Sequence, residues 1–242
     1  MLMSMPERRP RAPLAGVVFD LDGTLYDKRA LERFMIRRMP WSIPRLHRYT
    51  KIRSSLAGVD MGNAAALHEE TLARLAHSPG RRQRWQRWID EDYDPMVRQG
   101  MIHAVDPYPG VQALLAELRA AGLRLGLVSD YRGIEARLAA LGLDLETFDV
   151  MMVTEEEGAM KPAPRIVQRT LEEMGLPGES MVMVGDRAFT DLAFAEAAGM
   201  DFVGILPEEP PTPVGDPRWR TWPRARAHLL RLALTGERSP ER

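Results

Sequence analysis

Cysteine is absent from this sequence of 242 residues. The chain therefore has no disulfide, no thiolate ligand for a metal ion and no cysteine nucleophile. Long apolar runs are absent as well, since no stretch approaches the roughly 18 apolar residues that span a bilayer. Residues 1–13 carry arginines but no apolar segment of the kind found in secretion signals. We therefore expect a loose N-terminal tail, no membrane partner and a cytoplasmic protein.

Lysine is scarce: Lys28, Lys51 and Lys161 stand against thirty arginines. The chain is 45% hydrophobic and 28% charged, as in ordinary globular proteins, and its length suits one large domain or one domain with an insertion. Net charge is −1, yet residues 28–103 hold 15 basic against 8 acidic side chains. Such an excess attracts anions, so this segment either faces an anionic ligand or is simply a solvated helical surface.

Short apolar runs predict five β-strands buried on both faces, as in a parallel sheet covered by helices. They lie at residues 14–20, 123–129, 149–154, 181–185 and 202–206. Amphipathic stretches predict helices at residues 111–121, 134–141, 164–174, 192–198 and 222–234. Alternation of strand and helix is typical of a doubly wound, Rossmann-like α/β fold with a parallel sheet.

The alternation is interrupted between residues 28 and 103, where no strand pattern occurs. Helices are predicted there at residues 29–39, 62–76 and 81–96, with breaks at 40–44 and 77–80. Strand and helix resume after the proline-rich segment 106–110. We therefore predict an α/β core of residues 14–27 and 104–242, interrupted by an all-helical cap of residues 28–103. The proline-rich segment 207–217 is predicted to be a loop.

The predicted strands end in polar residues, and ligands of open α/β sheets bind at that edge. Asp20 and Asp22 follow the first strand and are separated by one residue. Two carboxylates so close ionise together only with a cation between them; otherwise one holds a proton. One could act as a nucleophile and the other as a general acid and base. The alternative is that Asp22 merely forms a turn with Gly23.

Four further residues are candidates for the same edge. Asp186 and Asp191, together with Asp20, would form the all-oxygen site that Mg²⁺ prefers, although Asp191 also suits a helix N-terminus. Lys161 lies in a proline-bounded loop and either binds a phosphate, bridges two carboxylates or is simply solvated. Ser129 ends a strand, where its hydroxyl either donates to a phosphate oxygen or caps the following helix.

These segments, taken in order, resemble the four motifs of the haloacid dehalogenase superfamily, whose phosphohydrolases use an aspartate nucleophile. They are residues 17–25 (VVFDLDGTL), 127–129 (LVS), 161–162 (KP) and 185–191 (GDRAFTD). Residues 107–111 (PYPGV) also resemble the return from a helical cap in that family. The resemblance covers roughly residues 14–206.

The resemblance implies a role for each matching residue. Asp20 would attack phosphorus and form an aspartyl-phosphate, while Asp22 would act as general acid and base. Ser129 and Lys161 would hold the transferring phosphoryl group, and Asp191 would support Lys161 or a metal-bound water. It also implies Mg²⁺ as the cofactor, bound by the carboxylates of Asp20 and Asp186 and by the main-chain carbonyl of Asp22. Phosphoryl transfer depends mainly on positioning and charge neutralisation, which such a set supplies.

Asp22 favours a phosphoester over a halogenated substrate, because the dehalogenases of this family have no acid at that position. The resemblance therefore implies a phosphatase acting on a small phosphorylated metabolite. Asp130, Ala163 and Arg187 depart from the family pattern in positions that bear on the substrate. The basic segment 28–103 suggests a substrate that is anionic beyond its phosphate, with Arg33, Arg37, Arg53 and Arg98 as candidates to contact it.

Three other functions were weighed. A phosphomutase or phosphotransferase would use the same intermediate but return the group to a hydroxyl. A non-catalytic binding module would be expected to have lost Asp20, Asp22 or Lys161. Nucleic-acid binding is disfavoured because Trp85, Trp88 and Ile89 have the spacing of a core-facing helical stripe. The sequence is compatible with a monomer or a homodimer.

Overall fold

The computed structural model describes residues 12–208 and 215–235. The predicted N-terminal tail lies mostly outside the described residues, as does the middle of the predicted loop at 207–217. Within these described residues, six strands form one parallel sheet in the order β3-β2-β1-β4-β5-β6. The strands are β1 Gly16–Phe19, β2 Arg124–Ser129, β3 Val150–Val153, β4 Met181–Gly185, β5 Asp201–Leu206 and β6 Trp219–Thr221. The predicted Rossmann-like α/β class is confirmed.

Helices cover both faces of this sheet and also form the inserted segment. Those of the insertion are α1 Lys28–Arg38, α2 Ile43–Ser54, α3 Ala64–Leu75, α4 Pro79–Arg87 and α5 Asp94–Ala104. Those of the α/β part are α6 Val111–Ala120, α7 Ile134–Ala140, α8 Pro164–Met174, α9 Ala193–Ala198 and α10 Trp222–Thr235. None of the described helices has both the length and the apolar character needed to cross a bilayer.

The central strands β1 and β4 consist of apolar residues and glycine, and they are buried throughout because both faces of the sheet are packed. In β1, Val17 and Phe19 join a cluster that includes side chains of α6 and α10, whereas Val18 joins the opposite cluster beneath α8 and α9. The first cluster continues into the inserted helices through Leu31 and Val97. The insertion, called the cap below, therefore packs directly on the core.

The structure corrects the sequence prediction at three elements. Helix α2 was not predicted; the break expected at 40–44 is a single 3-10 turn, Pro40–Ser42. The helix predicted at 81–96 is longer and contains a π-helical turn, Trp88–Tyr93, between α4 and α5. Strand β6 was missed altogether.

Candidate active site

The carboxyl edge of the sheet gathers the predicted site residues. Asp20 and Asp22 follow β1, Ser129 ends β2, and Asp186 follows β4. Strand β1 lies between β2 and β4, so three neighbouring strands deliver these side chains to one place. This is the edge at which open parallel sheets bind ligands.

Lys161 is a completely buried cation at the centre of this group. Its Nζ lies 2.7 Å from Asp20 Oδ1 and 2.8 Å from Asp191 Oδ1, and it donates to the Val128 carbonyl at 2.9 Å. Burial alone lowers the pKa of Lys161, but Asp191 and Asp20 outweigh burial and raise the pKa above its ordinary value. The alternative of a solvated loop lysine is therefore wrong.

The loop that carries Lys161 is fixed by Asp130, the residue that follows β2. Asp130 Oδ1 accepts a hydrogen bond from the Lys161 main-chain N–H at 3.0 Å and another from the Thr154 hydroxyl at 2.7 Å. These bonds connect the ends of β2 and β3 to the lysine. Asp130 thus supports the position of Lys161 without touching its ammonium group.

The carboxylate of Asp20 is held at both oxygens. Oδ1 contacts Lys161, and Oδ2 accepts a hydrogen bond from the Thr24 hydroxyl at 3.0 Å. The Asp20 main-chain N–H donates to the Val184 carbonyl at 2.9 Å, which extends the β1–β4 ladder to the site. Asp20 therefore has a fixed orientation beside a positive charge.

Asp22 is held at one oxygen only. The Tyr26 hydroxyl and the Arg137 guanidinium both donate to Oδ1, whereas Oδ2 is buried without a hydrogen-bond partner. Asp22 does lie in a turn with Gly23, so that alternative is correct as local structure. The turn places the carboxylate against a cavity between core and cap.

Neither Tyr26 nor Arg137 was predicted to contact Asp22. Arg137 carries a signal that went unused, because it lies on the buried stripe of α7 together with Ile134 and Leu138. A charged residue on an apolar stripe needs a buried partner, and Asp22 is that partner.

The carboxylates of Asp20, Asp186 and Asp191 approach closely enough to share a cation. One oxygen of each lies within 4.8 Å of the others. Burial raises the pKa of Asp191 to about 7 against the opposing effect of Lys161. Asp186 Oδ1 is buried without a hydrogen-bond partner, and Arg187 Nε lies 3.8 Å from it. A compact set of carboxylate oxygens, one of which accepts no hydrogen bond, fits a hard divalent cation such as Mg²⁺.

Gly23 and Lys28 also border this cluster. Gly23 has a φ of +93°, and a Cβ at this position would clash with Asp186 Oδ2, so the turn requires glycine. The Lys28 ammonium forms an ion pair with that same oxygen from the start of the cap. No local pattern around Lys28, at the predicted boundary of the cap, indicates that it reaches Asp186.

The sequence left two roles open for Asp191 and two for Ser129, and the contacts of both side chains bear on that choice. Asp191 belongs to a π-helical turn before α9, and its Oδ2 accepts from the main-chain N–H groups of Asp186 and Arg187 at 3.1 and 3.0 Å. It therefore supports the helix entry as well as Lys161. Ser129 is not a helix cap, since α7 begins after Gly133. Its hydroxyl has only long contacts, 3.3 and 3.4 Å, with the main chain of residue 131.

The amino-acid sequence of the chain is similar to that of a known protein family. Residues 14–199 match the family model of the haloacid dehalogenase-like hydrolases. The chain belongs to this family. The resemblance inferred from the four motifs is thereby confirmed.

Relatives of this hydrolase are phosphatases. A glyceraldehyde 3-phosphate phosphatase of Methanocaldococcus jannaschii is 30% identical over 80% of this chain and 85% of its own length. A phosphoglycolate phosphatase of Yersinia pestis is 29% identical over 79% of this chain and 81% of its own length. Among solved structures, a HAD (haloacid dehalogenase) phosphatase from Thermococcus onnurineus superposes with a TM-score of 0.59 at 26% identity, covering 93% of this chain and all of its own. The predicted class, a phosphoric monoester hydrolase, is confirmed.

Proposed function

We propose that this hydrolase is a Mg²⁺-dependent phosphatase that cleaves a small phosphate monoester through an aspartyl-phosphate intermediate. The observation that carries the proposal is the contact of buried Lys161 with Asp20 and Asp191, beside an oxygen of Asp186 that accepts no hydrogen bond. A carboxylate fixed beside a buried cation, at the ligand-binding edge of the sheet, suits attack on a phosphoryl group.

In the first step, a carboxylate oxygen of Asp20 attacks phosphorus and forms an O–P bond while the bond to the leaving oxygen breaks. Asp22 gives its proton to that leaving oxygen, which departs as an alcohol. In the second step, water attacks the phosphorus and Asp22 takes a proton from it. The Asp20–phosphorus bond breaks, and inorganic phosphate and the original carboxylate are regenerated.

The other residues hold the transferring group. Lys161 remains positively charged because its pKa is raised, and it neutralises charge on Asp20 and on the phosphoryl oxygens. The Ser129 hydroxyl, whose contacts in the protein are long, is available to donate to a phosphoryl oxygen. Asp191 keeps the ammonium of Lys161 in place.

The proposed metal ligands are the carboxylates of Asp20 and Asp186 and the main-chain carbonyl of Asp22. Bound there, Mg²⁺ would neutralise the charge that develops on the phosphoryl oxygens and on Asp20. Asp186 Oδ1, which is buried and accepts no hydrogen bond, supports this assignment. Lys28, which pairs with the other oxygen, keeps that carboxylate oriented.

The test is phosphate release in the presence of Mg²⁺ from a panel of esters that includes p-nitrophenyl phosphate, phosphoglycolate and glyceraldehyde 3-phosphate. We expect metal-dependent release by the wild type and a loss of about a thousandfold or more in Asp20→Asn. Asp144→Asn is the matched control, because Asp144 is exposed and remote from the site. Release that persists in Asp20→Asn would refute the nucleophile. Turnover that requires an added acceptor alcohol would show a phosphotransferase instead.

A further inference from the structure

A cavity of about 330 Å³ lies between the cap and the active site, with Asp22 in its wall. Because Asp22 is the proposed proton donor to the leaving oxygen, the cavity is where the rest of the substrate must lie. Its volume falls at the lower end of the range for sites that hold drug-sized molecules, roughly 300–1,000 Å³. A leaving group of two or three carbons would leave much of this wall uncontacted.

The cap side of this cavity is largely apolar. The hydrocarbon side chains that line it come from three cap helices, and they are Leu31, Met35, Ile36, Ile43, Leu46 and Val97. Two of them, Ile36 and Ile43, are 45% and 43% exposed although they are large hydrophobic residues. Exposed apolar side chains that converge on a concave surface mark a binding site more often than a solvated face.

Besides Lys28, four polar cap residues line the cavity: Glu32, His47, Thr50 and the half-buried Tyr93. The first three are exposed, and the Thr50 hydroxyl donates to carbonyls of its own helix. Three positively charged residues line the cavity, and each lies beside a carboxylate of the site: Lys28 pairs with Asp186, Arg137 pairs with Asp22, and Arg187 Nε lies 3.8 Å from Asp186 Oδ1. The charge in this cavity is thus concentrated at the reacting end.

The arginines expected to contact an anionic substrate lie elsewhere. Arg33 and Arg37 are exposed and do not line the cavity. Arg53 is buried against Glu155 and donates to the Asp130 carbonyl at 2.7 Å. Arg98 lines a different cavity. These four arginines therefore do not face the leaving group.

We propose that the substrate is the phosphate monoester of an apolar alcohol, whose hydrocarbon chain or ring packs against Ile36, Ile43 and their neighbours. This inference rests on the proposed function, since it assigns the leaving group of the same reaction. It replaces the expectation of a second anionic group on the substrate. A carboxylate in this position would lose its hydration without gaining a partner.

The first test measures kcat/KM for n-alkyl phosphates from ethyl to hexyl, with Mg²⁺ and the full-length chain. We expect kcat/KM to rise about fourfold for each added methylene, because each buried methylene adds a constant transfer free energy. Hexyl phosphate should exceed both phosphoglycolate and its own analogue with a terminal carboxylate. A flat or falling series, or preference for the carboxylate analogue, would overturn the inference.

The second test substitutes isoleucines in the apolar wall of the cavity. Ile36→Ser and Ile43→Ser should each lower the ratio of kcat/KM for hexyl over ethyl phosphate by about threefold or more. Ile102→Ser is the matched control, since Ile102 is a cap isoleucine that is 56% exposed and does not line the cavity. The control should keep the wild-type ratio. Equal ratios in all three variants would refute the role of the wall.

The two proposals fail in different ways. If no ester releases phosphate, p-nitrophenyl phosphate included, the proposed function itself is wrong. If phosphate is released and disappears in Asp20→Asn, but with no preference for long chains, the phosphatase stands and only the apolar leaving group is refuted.

Discussion

At the scale of single residues, the most informative feature of the site is the difference in surroundings between the two carboxylate oxygens of Asp22. Two donors from different parts of the chain, Tyr26 and Arg137, converge on Oδ1 and leave Oδ2 without a partner. One oxygen thus orients the carboxylate, and the other remains free for the proposed proton transfer. Positioning of this kind affects the chemical step more than substrate binding.

Tyr26→Phe should therefore lower kcat by roughly ten- to a hundredfold and leave KM nearly unchanged, since it loosens Asp22 without changing the phosphate contacts. Steady-state kinetics with p-nitrophenyl phosphate measures both constants. Tyr108→Phe is the control, because Tyr108 stacks on Trp222 away from Asp22. A parallel rise in KM, or an unchanged kcat, would contradict the assigned role.

The sequence predicts the residues of the site better than their partners. Asp20, Asp22, Lys161 and Asp186 were found because strand ends and short loops fix their place at one edge of the sheet. Arg137 and Lys28 were not found, because they reach the site from helices whose rotation and docking depend on packing. Such contacts between distant segments leave little local pattern in a sequence.

At the scale of secondary-structure elements, the cap has a small aromatic core of its own. Trp88 is buried between Tyr49 and Tyr93, with ring centroids 5.9 and 5.5 Å away, and its Nε1–H donates to the Ser42 hydroxyl at 3.2 Å. This cluster joins α2 and α3 to the π-helical turn. It confirms that the tryptophan stripe faces a core.

Trp88→Ala should destabilise the protein by about 3–5 kcal/mol, because it leaves a large cavity in this cluster. Urea unfolding followed by circular dichroism measures the loss. Trp41→Ala provides the contrast, since Trp41 is 74% exposed and its removal should cost little. Comparable losses in both variants would mean that the cluster does not stabilise the cap.

The elements missed from the sequence have definable causes. Pro40 and Pro44 suggested a break, but proline is tolerated in the first turn of a helix, and α2 begins there. Strand β6 has three residues, too few to show a periodicity. It pairs with β5 where Gly204 leaves room for the ring of Trp219, a fit that only the folded chain reveals.

At the scale of the whole molecule, the cap is hydrogen-bonded to the loop that carries Lys161. The main-chain N–H of Gly58 donates to the Lys161 carbonyl at 3.1 Å, and that of Met160 donates to Val59 at 2.9 Å. Close by, Arg53 of α2 pairs with Glu155 of the core at 3.2 Å, almost without exposure to water. The conformation of this loop therefore depends on how the cap packs against the core.

Arg53→Met should destabilise the protein by about 3 kcal/mol or more, because it leaves Glu155 without its buried partner. In a double-mutant cycle with Glu155→Gln, the two losses should be clearly less than additive. Arg169→Met is the control: its pair with Glu173 is exposed, so the change should cost about 1 kcal/mol or less. Urea unfolding of the variants measures all three effects; additive losses would show that the pair is not coupled.

The C-terminal helix α10 cannot be removed from this chain without opening the main core. The family match ends at residue 199, yet Trp222 and Leu229 belong to the main core. Trp222 also donates to the Pro109 carbonyl at 2.9 Å, where the chain returns from the cap. A chain shortened at the family boundary would expose one face of its sheet and invite aggregation. The segment by which this protein is recognised as a hydrolase is thus smaller than the segment that must fold together.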